Sequence, residues 1–239
     1  VKPILRTPFF EFGVKNYIYG DDVLRIAEAA DIAAARYDID VLMIVPYTEI
    51  RRVAENTARL VILAPYMDLL SPGRGMADVL PEALKAAGAR GAVVNHCERP
   101  MTLSAVKRTI DRARELGMLS FACSDSIAEA RALAQLGPDI INPEPSELIG
   151  SGTPSGPAFV REVTAAVKHI DDTILVEQAA GISSGKQVYD LILAGAEGCG
   201  ASSGIFLSDD PRRMVEEMIR SVRMARDDRA QAMKKQGAS

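Results

Sequence analysis

The sequence predicts a (β/α)8 barrel, eight parallel strands alternating with helices and closing into a ring. Eight short apolar, β-branched-rich runs punctuate its 239 residues, at 9–14, 41–45, 60–64, 91–95, 119–123, 140–142, 174–177 and 198–202. Most are followed by a stretch of helical periodicity, and eight strand–helix units in a row match the closure number of that barrel. The length suits a single α/β barrel of roughly 250 residues, so 1–239 is expected to form one domain. An open doubly wound sheet is the alternative, but it usually shows fewer units.

In chain order, the first run precedes Val23, Ile26, Ala27, Ala30 and Ala34, which recur at spacings of three and four as one face of a helix. After the third run comes an irregular connection, 65–77, with Ser71-Pro72-Gly73-Arg74-Gly75 at its centre. Val106, Ile110 and Ala113 follow the fourth run, with Ser104 as the expected helix cap, and Ser126 is expected to cap the helix after the fifth. Val163, Ala166, Val167 and Ile170 follow the sixth. The last helix is expected from about 211 to 235, on Met214, Met218, Ile219 and Val222, with Pro211 in its first turn. Strands that are apolar throughout are covered on both faces, which indicates a parallel sheet.

Composition narrows the function classes. Hydrophobic residues make up 48% and charged ones 25%, ordinary for a globular protein, and the net charge of −4 offers no general attraction to nucleic acid or an anionic membrane. Any anion site must therefore be local. No apolar run approaches the roughly 18 residues of a spanning helix, and the first residues lack the basic-then-apolar pattern of a signal peptide. Cys97, Cys123 and Cys199 are odd in number and without metal-type spacing, so reduced thiols in the cytoplasm are expected. Only His96 and His169 are available, which argues against a multi-histidine metal centre, and His169 reads as a surface residue. Neither a metal nor a cofactor is expected.

Three reactive side chains stand at expected strand ends. Glu144 closes the sixth run and opens the loop Pro145-Ser146-Glu147-Leu148-Ile149-Gly150-Ser151-Gly152. A carboxylate there can be a general base beneath a loop that closes, or simply a cap for a turn. Glu147, within the loop, ranks second as a base. His96 ends the fourth run in Asn95-His96-Cys97-Glu98-Arg99, where a structural role for the ring and a helix-start ion pair for Glu98 and Arg99 are the plainer readings. Lys15 ends the first run, where a lysine is by default a surface charge. Glycine-rich loops after the last three strands, 150–152, 180–183 and 202–204, offer backbone N–H groups to a phosphate.

Together these segments resemble the triosephosphate isomerase family, particularly its short archaeal form. His96 stands in a segment similar to the family's Asn-His-Ser-Glu-Arg, with Cys97 in place of Ser. Gly13-Val14-Lys15-Asn16-Tyr17 resembles Asn-Leu-Lys-Thr-Tyr, and Gln178-Ala179-Ala180-Gly181-Ile182-Ser183 resembles Cys-Gly-Ala-Gly-Ile-Ser. Val79-Leu80-Pro81-Glu82-Ala83 and Asp209-Asp210-Pro211 match as well, and the likeness runs from Lys15 to about Met224. It implies a TIM barrel that isomerises a triose phosphate through an enediolate without a cofactor. Glu144 would be the base and His96 the electrophile, kept neutral by the helix after it. Lys15 would hold the phosphate and the enediolate. Gly13, Ile149, Gly150, Gly181, Ser203 and Gly204 would contact substrate, with Glu98 and Arg99 supporting them.

Two departures stand out. Gly13 replaces the family's amide, which removes a donor and suggests a larger pocket, and loop seven is altered, with one glycine lost in Gln178-Ala179-Ala180-Gly181 and Glu177 an unexpected acid near the barrel rim. They motivate an alternative substrate, a longer ketose phosphate such as an erythrulose phosphate. An alternative of another class is a barrel that binds a sugar phosphate without turning it over, although a mere binder needs no base. The resemblance also implies a homodimer or homotetramer joined through 65–75, whose Tyr66, Met67, Leu69 and Leu70 form an apolar set. The opposing expectation is that this loop folds back on its own barrel.

Overall fold

Each of the eight apolar runs carries a strand. A computed structural model of the chain, describing residues 2–236, places them as β1 (Phe9–Gly13), β2 (Val41–Ile44), β3 (Leu60–Ala64), β4 (Gly91–Val94), β5 (Leu119–Ser124), β6 (Ile140–Pro143), β7 (Leu175–Gln178) and β8 (Gly198–Ala201). All neighbours are parallel, and β1 pairs with both β2 and β8, so the sheet closes as an eight-stranded barrel. The helices are α1 (Asp21–Tyr37), α2 (Ile50–Asn56), α3 (Pro81–Ala86), α4 (Leu103–Leu116), α5 (Ile127–Ala134), α6 (Pro157–Lys168), α7 (Gly185–Ala194), α8 (Ser203–Phe206) and α9 (Pro211–Gln236). No helix among the described residues is long and apolar enough to cross a membrane.

Alternation along each strand sorts the core into two layers. Inward residues such as Phe9, Leu42, Leu63, Phe121 and Ile140 fill the barrel. Outward ones such as Phe10, Phe12, Val41 and Met43 meet the helices, among them the predicted face of α1, whose Val23, Ile26, Ala27, Ala30 and Ala34 are all buried. The closing helix α9 buries Met218, Ile219 and Val222 against this layer. In β8 the two inward positions are glycines. An added Cβ would stand 2.4 Å from the Phe9 ring at Gly198, and 2.3 and 2.5 Å from Glu11 and Glu177 carboxylate oxygens at Gly200.

Helix starts follow the expected chemistry with one correction. Ser126 caps α5, its hydroxyl accepting from the Glu129 N–H at 3.2 Å while the Glu129 carboxylate accepts from the Asp125 N–H at 2.8 Å. Pro211 opens α9, with the Asp210 carboxylate accepting from the N–H groups of Arg212 and Arg213. The cap of α4 is Thr102 rather than Ser104. Thr102 is the last residue with extended backbone, and its hydroxyl accepts from the Ala105 N–H, which leaves Ser104 inside the first turn.

Candidate active site

The C-terminal strand ends open into one cavity of about 420 Å3. Lys15, His96 and Glu144 all line it, and so do Gly13, Glu98, Arg99, Ile149, Gly150, Gly181 and Ser203. Gly204 does not. Its backbone is pressed against the loop after β7, where a Cβ would stand 2.3 Å from the Ile182 carbonyl oxygen, so close packing of the two loops requires glycine here. Glu147 is exposed on the short 3-10 turn Ser146–Leu148 and is not among the cavity's lining residues, which leaves Glu144 as the carboxylate of that loop facing the cavity.

Lys15 sits at the turn after β1 with φ of 48°, a left-handed conformation uncommon for a side-chain-bearing residue and frequent at functional sites. Its Nζ donates to Glu98 Oε1 at 2.9 Å. Burial works against the ammonium charge, but the hydrogen bond and attraction of Glu98, with Glu144 beyond, hold the Lys15 pKa above its usual value. Burial likewise disfavours charge on Glu98, and Lys15 reverses this and holds that carboxyl below its usual range. Neither Glu98 nor Arg99 takes part in a helix-start pair, because α4 begins only at Leu103. Arg99 instead lies over the Tyr66 ring, 4.6 Å from its centroid.

His96 is oriented by the turn that follows β4. Asn95, also left-handed with φ of 59°, fixes that turn through its side chain, which donates to the Cys123 carbonyl and accepts from the Met101 N–H. The Glu98 N–H donates to His96 Nδ1 at 3.1 Å. A ring nitrogen that accepts carries no proton, so the neutral ring has its hydrogen on Nε2. That nitrogen faces Glu144 Oε2 at 3.4 Å, with both side chains largely buried. The expected helix behind the ring is absent at this point, and a single loop amide orients the ring instead.

The loop after β6 is tied down at both ends. Asp125 Oδ1 accepts from the Ser146 N–H and hydroxyl at 2.6 and 2.5 Å, and these bonds hold the Asp125 pKa below its usual value. At the far end Gln187 donates to the Gly152 carbonyl at 3.0 Å and accepts from the Ser183 N–H at 2.7 Å, which joins this loop to the one after β7. Gly181 sits between them at φ of 72° with a would-be Cβ only 2.1 Å from the Thr153 carbonyl oxygen. Asp125 and Gln187 were not expected from the sequence, since each acts through a partner at least 21 residues away.

Glu177 lies inside the barrel, fully buried, and not at its rim. The sequence also gave no reason to single out Glu11, 4% exposed on β1, which crowds the same space beside Gly200. Burial, then Glu11, then Glu144 push the Glu177 carboxyl well above its usual value of 4.5. The folded chain therefore binds this proton more tightly than the unfolded chain, and stability present below 4.5 is lost as pH rises toward the folded value. Glu177→Gln is expected to resist urea better than the parent at neutral pH, with the advantage disappearing near pH 4.5. Paired urea melts check this, and equal midpoints at neutral pH would contradict it.

A sequence model described as triosephosphate isomerase matches residues 14–186. The triosephosphate isomerase of Methanobacterium bryantii is 31% identical over 224 residues, covering 92% of this chain and 99% of its own. That of Sulfolobus acidocaldarius is 32% identical over 231 residues, covering 95% and 100%. That of Methanothermus fervidus is 32% identical over 203 residues, covering 84% and 91%.

Proposed function

The chain belongs to the triosephosphate isomerase family, and from that premise we propose that it interconverts glyceraldehyde 3-phosphate and dihydroxyacetone phosphate through an enediolate. The observation that carries this reading is the convergence of Glu144 Oε2 and His96 Nε2, 3.4 Å apart, on a cavity that Lys15 also lines. Glu144 takes the proton from the hydroxyl-bearing carbon beside the carbonyl and returns it to the former carbonyl carbon. His96 gives its Nε2 proton to the carbonyl oxygen as negative charge develops there, and the same nitrogen then takes the proton of the neighbouring hydroxyl, which becomes the new carbonyl and restores His96. Lys15 supplies positive charge, exchanging its bond to Glu98 for the substrate anion. The backbone amides around Gly150, Gly181 and Ser203 receive the phosphate.

Coupled assays on glyceraldehyde 3-phosphate, dihydroxyacetone phosphate and erythrulose phosphates, run side by side, test the proposal. Triose phosphate turnover is the expected result, and its absence would overturn the reading. A cytoplasmic role in glycolysis follows from it.

The chain is also proposed to act as a homo-oligomer through the loop after β3. Met67 is buried in its own barrel, so it leaves the apolar set expected from the sequence. Leu69 stays exposed and Met76 fully so, at the tip of a loop whose base is closed by bonds between Asp68 and Val79. Sedimentation at micromolar concentration is expected to find a dimer or tetramer, and a monomer would mean that the tip stays in water.

A further inference from the structure

We infer that the Glu11 carboxyl is a substrate-contacting hydrogen-bond donor at the floor of the active site, and that Glu177 behind it is the group with which it shares a proton. This rests on the reaction proposed above. Alternation along β1 turns Phe9, Glu11 and Gly13 toward the barrel interior. Glu11 Oε1 lies buried just beneath Gly13, 3.5 Å from where a Gly13 Cβ would lie, beside the space that a side chain at position 13 would fill. Ser202 Oγ approaches the same point at 3.1 Å, so the space that position 13 leaves open is already flanked by two polar groups. Glu11 lines the cavity together with Lys15, His96 and Glu144.

Buried polar atoms ordinarily have partners. Glu11 Oε1 and both oxygens of Glu177 have none among the described residues. Their other feature is crowding, since Glu11 Oε2 and Glu177 Oε1 approach one point beside Gly200. Two carboxyls so close and so far from water cannot both ionise, and one proton stays with the pair. The charged groups that bear on Glu11 are Glu144, which favours that proton, and Lys15, which opposes it, while burial dominates and keeps the carboxyl well above its usual pKa. In the neutral form Glu11 offers an O–H to a substrate oxygen. An ionised Glu11 would instead repel both the phosphate and the enediolate. A donor aimed at an oxygen that gains negative charge contributes most in the transition state, so its loss falls on kcat.

The test compares Glu11→Met, similar in reach but without a donor, with Glu11→Gln, which keeps a donor in nearly the same shape. Both are assayed on glyceraldehyde 3-phosphate, with circular dichroism melts to establish folding, and Glu11→Ala replaces the methionine variant should that one not fold. The expected result is a kcat lowered about tenfold or more in Glu11→Met, with KM changed less than about threefold. Glu11→Gln should return kcat to within about threefold of the parent. A donor-less variant with parental kcat and KM overturns the inference and leaves the proposed reaction standing. So does Glu11→Gln as slow as Glu11→Met, because a mere packing or charge effect would then account for both. A parent chain inert on triose phosphates overturns the proposed reaction and this inference with it.

Discussion

Glu144→Gln is expected to lower kcat for triose phosphate isomerisation by about 10²–10⁴-fold, the usual contribution of a positioned general base, with KM nearly unchanged. The main chain at this residue is fixed at the end of β6, its N–H donating to the Ser124 carbonyl at 2.7 Å. The side chain is enclosed, 13% exposed, and faces His96. Glutamine fits the same space and keeps the same shape, so the lost rate reports the lost base rather than a collapsed wall. Glu144→Asp keeps the base but retracts it by about a bond length, and misplacement of that order costs about 10²-fold. Steady-state kinetics in both directions check the pair. A glutamine variant turning over at the parental rate would remove Glu144 from the mechanism.

The second large effect is expected at Gly181→Ala. A methyl group there meets the Thr153 carbonyl oxygen at 2.1 Å, its carbon at 2.5 Å and the Leu148 carbonyl oxygen at 3.1 Å, all three on the loop that follows Glu144. These are backbone atoms with no flexible end to swing aside. The φ of 72° adds about 1–2 kcal/mol for any residue with a Cβ. The loop must therefore move off its seat, and kcat/KM is expected to fall about 10²-fold. The barrel beneath is untouched, so the melting temperature should hold within a few degrees while the 145–155 segment becomes more accessible to protease. Unchanged kinetics together with unchanged proteolysis would show that the loop accommodates the methyl group where it stands.

Strand positions were legible because every strand is a short β-branched run covered on both faces, a pattern that needs no knowledge of the partner strand. Helix starts were legible where a serine or Asp-Pro abuts the helix, and misplaced at α4 because Thr102 and Ser104 are chemically interchangeable caps. The choice between them rests on which residue keeps extended backbone. The candidate site was legible where reactive side chains terminate strands, as at Lys15, His96 and Glu144. The barrel interior was not. In Phe9-Phe10-Glu11-Phe12 a single acid hides inside an apolar run, and whether it points to solvent, helices or the barrel depends on how the sheet closes. For the same reason Glu177 was expected one layer too high. Met67 was assigned to a partner because its neighbours in the barrel's outer layer are remote in the chain, and the loop backbone that crowds Gly204 is just as remote.

The empty inward positions of β8 make substitutions in three strands depend on the order in which they arise. The Phe9 ring occupies the room beside Gly198, and the acids at 11 and 177 occupy that beside Gly200. Alanine at position 200 has to displace both carboxylate ends at once, so it is accommodated more easily after those two acids have become shorter. Once alanine is established, a return to two glutamates meets it at contacts no longer than 2.5 Å unless both carboxylate ends move aside. Positions 11, 177 and 200 should thus drift as a linked set, with double substitutions far from additive. A change on one strand of this barrel's interior thus bears on which changes the neighbouring strands accommodate.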